Sequence, residues 1–128
     1  MPTVEPVAYK NLLVPLDFSP SSRPSLVPAV ALAGQFRARL TLLTVIEPMA
    51  TPDFAASFPL MLDEAQLGAD ATTELKHLVK TTPGCAAVVE RILVRFGRSY
   101  HEIVEAAQAH HFDLIVIATH GRTSFKVR

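Results

Sequence analysis

The chain has 128 residues, 49% of them apolar, and its 12 basic residues balance 12 acidic ones. That length suits one domain, the apolar fraction is ample for a core and argues against long disorder, and the charge balance leaves no overall field to steer nucleic acid or an anionic membrane. Cys85 is the only cysteine, so there is no internal disulfide framework, which fits a reducing cytoplasm. No apolar run approaches the ~20 residues of a membrane helix. The opening MPTVEPVAYK has no basic region followed by an apolar stretch, so no signal peptide is expected.

In chain order, NLLVPLD, Asn11 to Asp17, is a short apolar run ending in a carboxylate, the pattern of a buried strand. FSPSSRPS follows. Ser21 or Ser22 can cap a helix that has Pro24 in its first turn, with Leu26, Val27, Val30, Ala31 and Ala33 inward. Pro28 falls past the first turn of that helix and predicts a kink costing about 3 kcal/mol if uncompensated. RLTLLTVIEP, Arg39 to Pro48, is a second strand, β-branched and stopped by proline. A Pro- and Ala-rich loop carrying Phe54 and Phe58 leads to a second helix, with a stripe of Leu67, Ala71, Leu75, Leu78 and Val79, ended by TTPG. AAVVERILVRFG reads as a third strand. SYHE, Ser99 to Glu102, has the capping-box pattern, with Ser99 bonding forward and Glu102 reaching back. Ile103, Val104, Ala106 and Ala107 give that helix its buried side, and FDLIVIA, Phe112 to Ala118, is a fourth strand.

Strand and helix alternate throughout, which predicts an α/β domain: an open parallel sheet with helices on both faces. In such sheets ligands sit beyond the carboxyl ends of the strands, where the winding reverses. Two strand ends are unusually polar. The first offers Asp17 and Ser19; the fourth offers Thr119, His120, Gly121, Arg122, Thr123 and Ser124. If strands one and four are neighbours, these ends flank the reversal. Gly121 permits a tight turn and close approach to a ligand, and successive N–H groups in such a turn cradle anions. On the residues alone, the favoured reading of Asp17 is a helix-entry carboxylate, and that of HGRTS a polar loop after a strand.

Taken together, KNLLVPLDFSPSS, ARLTLLTVIEP and DLIVIATHGRTSFK resemble the universal stress protein (UspA-like) family, in the expected order from about Tyr9 to the last residue. The resemblance implies the adenine nucleotide alpha hydrolase-like fold, a flavodoxin- or Rossmann-like three-layer sandwich with a five-stranded parallel sheet. It implies one cytoplasmic domain over 1–128 that binds ATP, with Mg²⁺, and forms homodimers. Carried over by position, Pro15, Leu16 and Asp17 match the end of the first strand on the nucleoside side. Val45 matches the position whose backbone contacts adenine. Thr119, His120 and Gly121 match the turn near ribose and phosphate, with Arg122 and Ser124 beside it.

The family's ATP signature is glycine, two residues, glycine, nine residues, then glycine with serine or threonine. Gly121 fills its first place, Ser124 stands where the second glycine belongs, and the third place falls beyond Arg128. The last helix and fifth strand of the family are therefore expected to be missing, which would leave LIVIA as an unpaired apolar edge open to association. Two functions follow. One is an adenine-nucleotide-binding module signalling by its bound state in the stress response, with no catalytic base and at most slow, incidental hydrolysis. The other is a nucleotide-independent interaction protein, favoured by Ser124 and the missing phosphate loop. No metal set, catalytic triad or nucleic-acid motif is legible. His110 and His111 sit at a helix end, where a cation is favoured. Cys85 is expected to be a neutral thiol.

Overall fold

The computed structural model describes residues 9–17, 23–47, 64–119 and 122–127. The elements run β1 (Asn11–Pro15), α1 (Leu26–Phe36), β2 (Arg39–Ile46), α2 (Glu64–Thr81), α3 (Cys85–Val88), β3 (Val89–Phe96), α4 (Ser99–Ala109), β4 (Leu114–Thr119) and β5 (Arg122–Val127). They form one sheet in the order β3-β2-β1-β4-β5. The first four strands are parallel, with Leu12 opposite Leu40 and Leu114.

The order of the strands decides where the helices go. Chain connections between parallel strands are right-handed. The path β1–β2–β3 moves one way across the sheet, and the step from β3 to β4 moves back past β2 and β1. Its helix therefore lies on the opposite face. The core shows this division. Leu12, Val14, Leu40, Leu42 and Val116 pack with Leu26 and Ala33 of α1, Leu75 and Leu78 of α2, and Cys85. Leu13 and Leu43 pack on the other side with Ala106 and Ala107 of α4 and with Phe112. Residues 12 to 16 are buried without interruption because β1 is covered on both faces, which is why it reads as a solid apolar run.

Several local expectations are corrected. Pro28 is the third residue of α1, following a 3₁₀ turn at Arg23–Ser25. Its missing N–H is one of those that have no partner in a first turn, so no interior bond is lost. Val27 points outward at 63% exposure, and Ala29 takes the inward place beside Leu26 and Ala33. The third strand begins only at Val89, because Gly84 (φ +78°) opens a single helical turn, Cys85–Val88. Ser19, Ser21, Ser22, Phe54 and Phe58 lie outside the described residues.

The capping box is also absent. Ser99 is the first residue of α4 and Arg98 is its N-cap, with no side-chain cap bond. Glu102 turns instead to the Arg95 guanidinium, 3.4 Å away. The helix end is capped from another element: the Ser99 N–H donates to Glu47 Oε1 at 2.8 Å. That bond, with a second from the Ser99 hydroxyl and the nearby charge of Arg98, holds the Glu47 carboxyl below its ordinary value.

The edge of β4 is not bare. β5 pairs with it antiparallel along its whole length, from Leu114 opposite Val127 to Thr119 opposite Arg122. A fifth strand is thus present, though as a hairpin return rather than a parallel crossover. Two residues join the strands, the commonest hairpin spacing. The N–H and C=O groups of LIVIA gain partners within the chain, and the open edge of the sheet moves to β5.

Two contacts fix the ends of β1. At its start, Asp113 Oδ2 accepts from the Lys10 and Asn11 N–H groups at 2.8 and 2.9 Å, and the Asp113 N–H donates to the Asn11 carbonyl. At its end, the Leu16 N–H donates to the Leu43 carbonyl at 2.7 Å, and the buried Thr44 hydroxyl donates to the Leu16 carbonyl at 2.6 Å. Thr44→Val removes that donor at near-constant volume. It is expected to lower the unfolding free energy by about 1–3 kcal/mol in urea titrations, the cost of a buried acceptor left without its partner; an unchanged midpoint contradicts this. Glu47 has a depressed carboxyl, so its contribution is present above the unfolded glutamate value and lost as pH falls through the lower folded one. Glu47→Gln is therefore expected to flatten the acid limb of the melting temperature against pH, and superimposable acid limbs contradict it.

Candidate functional site

The carboxyl ends of β1, β2 and β4 meet the first turns of α4 at the point where the winding reverses. A crevice of about 140 Å³ opens there, lined by Pro15, Leu16 and Asp17 after β1, Val45 of β2, Ser99 and Ile103 of α4, and Ile117 of β4. The reversal creates it: α1 and α4 leave on opposite faces, so neither covers the gap between them. Leu16, Val45, Ile103 and Ile117 make apolar walls, while Asp17 stands exposed at the rim. That volume admits a flat ring and not a whole drug-sized ligand, for which pockets of ~300–1,000 Å³ are usual. Any larger ligand must extend past the rim.

Pro15, Leu16, Asp17 and Val45, read from sequence as site residues, converge on this one crevice. Thr119 ends β4, and continuing the register of Leu12 with Leu114 and Leu13 with Ile115 sets it level with Asp17. Arg122 and Ser124 lie in β5, opposite Thr119 and Ile117. His120 and Gly121 lie outside the described residues. The expected neighbourhood of strands one and four is observed.

Sequence reading missed Ser99, Ile103 and Ile117 as lining residues, Glu47 as the partner of the Ser99 N–H, and Thr44 as the support of Leu16. Ser99 reads as a cap and Ile103 as core, because helical periodicity shows the buried side but not which end of it stays open. Glu47 and Ser99 are 52 positions apart. Only the strand order brings them together.

Other groupings have ordinary partners. His101, Glu102 and Glu105 place ligand-type atoms within 4.8 Å of one another. The Arg95 guanidinium lies 3.4 and 4.0 Å from the two carboxylates, and His101 Nε2 lies 3.3 Å from Glu105, so the carboxylates already have partners within the protein. The Arg91 guanidinium lies 2.7 Å from His110 Nδ1, so this ring has an ordinary side-chain partner. Cys85 is buried, and burial pushes its thiol up, away from reactivity. A wider groove of about 540 Å³ runs between α2 and the first half of β3. It lies at the amino ends of the strands, away from the reversal.

The chain was compared with known proteins. The pattern of the Universal stress protein family matches residues 8–127. Universal stress protein A homolog 1 of Coxiella burnetii is 32% identical over 118 residues, covering 88% of this chain and 78% of that protein. The structure of universal stress protein UspA from Lactobacillus plantarum superposes with a TM-score of 0.61 at 30% identity, over 86% of this chain and 77% of that one. A universal stress protein solved in complex with cAMP shares the fold, with a TM-score of 0.57 at 24% identity, over 87% of this chain and 73% of that one. With a family match over nearly all its length, a sheet ordered 3-2-1-4 and a crevice at the reversal, the chain belongs to the universal stress protein family.

Proposed function

We propose that this protein is an adenine-nucleotide-binding module that acts in the stress response by its bound state, through signalling or contact with other proteins. The observation that carries the reading is the convergence of Pro15, Leu16, Asp17 and Val45 on one crevice at the winding reversal. Its chemistry suits the nucleoside end. Apolar walls from Val45, Ile103 and Ile117 take a flat heterocycle, and a carboxylate at the rim accepts from ribose hydroxyls or an exocyclic amine. The complex of cAMP with a protein of this fold supports the same direction. Phosphates are assigned to the end of β4, near Thr119, His120, Gly121, Arg122 and Ser124. Mg²⁺ is expected to arrive with the phosphates of ATP rather than in a dedicated cage, since Asp17 is the only carboxylate among the described lining residues. The reading is of binding without turnover, in a cytoplasmic protein that works as a dimer.

A second reading has its own observation. Arg122–Val127 forms a strand paired with β4, so the backbone there is extended, with part of its N–H groups turned to β4, instead of curled into a turn whose successive N–H groups cradle a phosphate. That favours a nucleotide-independent interaction protein. Thermal shift with millimolar ATP and Mg²⁺ separates the two: stabilisation supports the first, and an unchanged melting temperature of folded protein supports the second. In the nucleotide reading, Asp17→Asn lowers affinity about ten-fold or more, from loss of a charged hydrogen bond of roughly 1.5–3 kcal/mol. Ile103→Trp fills the crevice and abolishes binding while the fold persists. Full affinity in both variants by calorimetric titration contradicts the assignment.

A further inference from the structure

We propose that Glu47 sets the charge preference of the crevice by occupying the N-terminal end of α4 with a carboxylate of the protein's own, so that the anionic groups of a ligand are kept off that helix end. The inference rests on the reading that the crevice takes the nucleoside part of an adenine nucleotide.

α4 has 11 residues, long enough for its first N–H groups to present a partial positive charge. In α/β sheets such a helix end, facing a crevice at the carboxyl side of the strands, is the usual place for phosphate. Here it is taken. Glu47 Oε1 accepts the Ser99 N–H at 2.8 Å. The Ser99 hydroxyl and the charge of Arg98 reinforce the hold, and the carboxyl is depressed accordingly. The carboxylate comes from the neighbouring strand, two residues beyond Val45, while the helix's own N-cap, Arg98, supplies no side-chain bond. Val45 and Ser99 both line the crevice, and Asp17 stands on its rim. A ligand thus meets apolar walls with the Asp17 carboxylate on the rim, while the Glu47 carboxylate, with Arg98 near it, holds the N–H of the lining residue Ser99. A neutral ring and its ribose fit that environment. A phosphate does not, and is directed toward the β4–β5 end.

Glu47→Gln keeps an acceptor for Ser99 and removes the charge, so the two roles of the residue separate. Calorimetric titration of both proteins with adenosine, AMP and ATP at low salt is the test, with melting temperatures recorded alongside. The expected result is adenosine affinity within two-fold of the unsubstituted protein and ATP affinity raised at least about three-fold, the order expected when one neighbouring like charge is removed in a water-like dielectric. The gain should shrink as salt is raised. ATP affinity that stays constant, or that moves equally with adenosine, overturns the proposal. A second arm does not need the nucleoside. In Glu47→Ala the helix end is vacated, so inorganic phosphate is expected to raise the melting temperature of this variant more than that of the unsubstituted protein. Equal shifts overturn the proposal. If adenosine binds neither protein while phosphate rescues Glu47→Ala, the nucleotide reading fails and the role of Glu47 stands. If adenosine binds both and ATP gains nothing in Glu47→Gln, the nucleotide reading stands and the role of Glu47 fails.

Discussion

β1 is hydrogen-bonded along both edges, to β2 over its whole length and to β4 at Leu12 and Leu13. Everything that makes a site follows from that double pairing. A strand with parallel neighbours on both sides forces the chain to wind out one way and return the other, and right-handed connections then place α1 and α4 on opposite faces. The gap between them opens above the end of β1, where Asp17 stands. The strand is held in register at both ends. Asp113 ties its start to β4, and the backbone of Leu43 with the hydroxyl of Thr44 ties its end to β2. Asp17 is exposed, yet the residue before it has both backbone groups committed, so the carboxylate projects from a fixed platform.

The α4 side of the crevice is fixed with the same economy. Gly97 donates its N–H to the Ile46 carbonyl at 3.1 Å, and Glu47 takes the N–H of Ser99. The end of β2 therefore holds both the turn before α4 and the first residue of the helix. Gly97 has φ +143°, and a Cβ there would lie 3.1 Å from Glu102, so a side chain at this position would be strained and would crowd the residue that pairs with Arg95. Ala106 and Ala107 let the helix approach the sheet over Leu13 and Leu43, and Ile103, one turn nearer the N-terminus, faces the opening. Small residues bring the helix close, and a larger one closes the crevice wall.

Much of this was legible in the sequence where the signal is local. Unbroken apolar runs gave β1, β2 and β4, because strands buried on both faces carry no polar alternation. The three family-like stretches gave Asp17 and Val45. What escaped depends on distant pairs. Glu47 displaced the Ser99–Glu102 capping box because a carboxylate from another strand reached the helix end, while Arg95 drew Glu102 away. Pro28 lost its penalty through a shift of the helix start to Leu26. β5 arose where an exposed edge was expected, since the residues that would form a phosphate turn can satisfy β4 instead, and local patterns do not rank those two uses.

The central claim is that the crevice bounded by Asp17, Val45, Ser99, Ile103 and Ile117 is the place where an adenine nucleotide binds. Amide chemical-shift mapping of the full chain during titration with ATP and Mg²⁺ tests it most directly. The account predicts that the largest saturable shifts fall on residues 16–17, 45–47, 99–103 and 117–119, with none along the groove between α2 and β3. Shifts confined to that groove, or no saturable shift in folded protein at millimolar nucleotide, would contradict it.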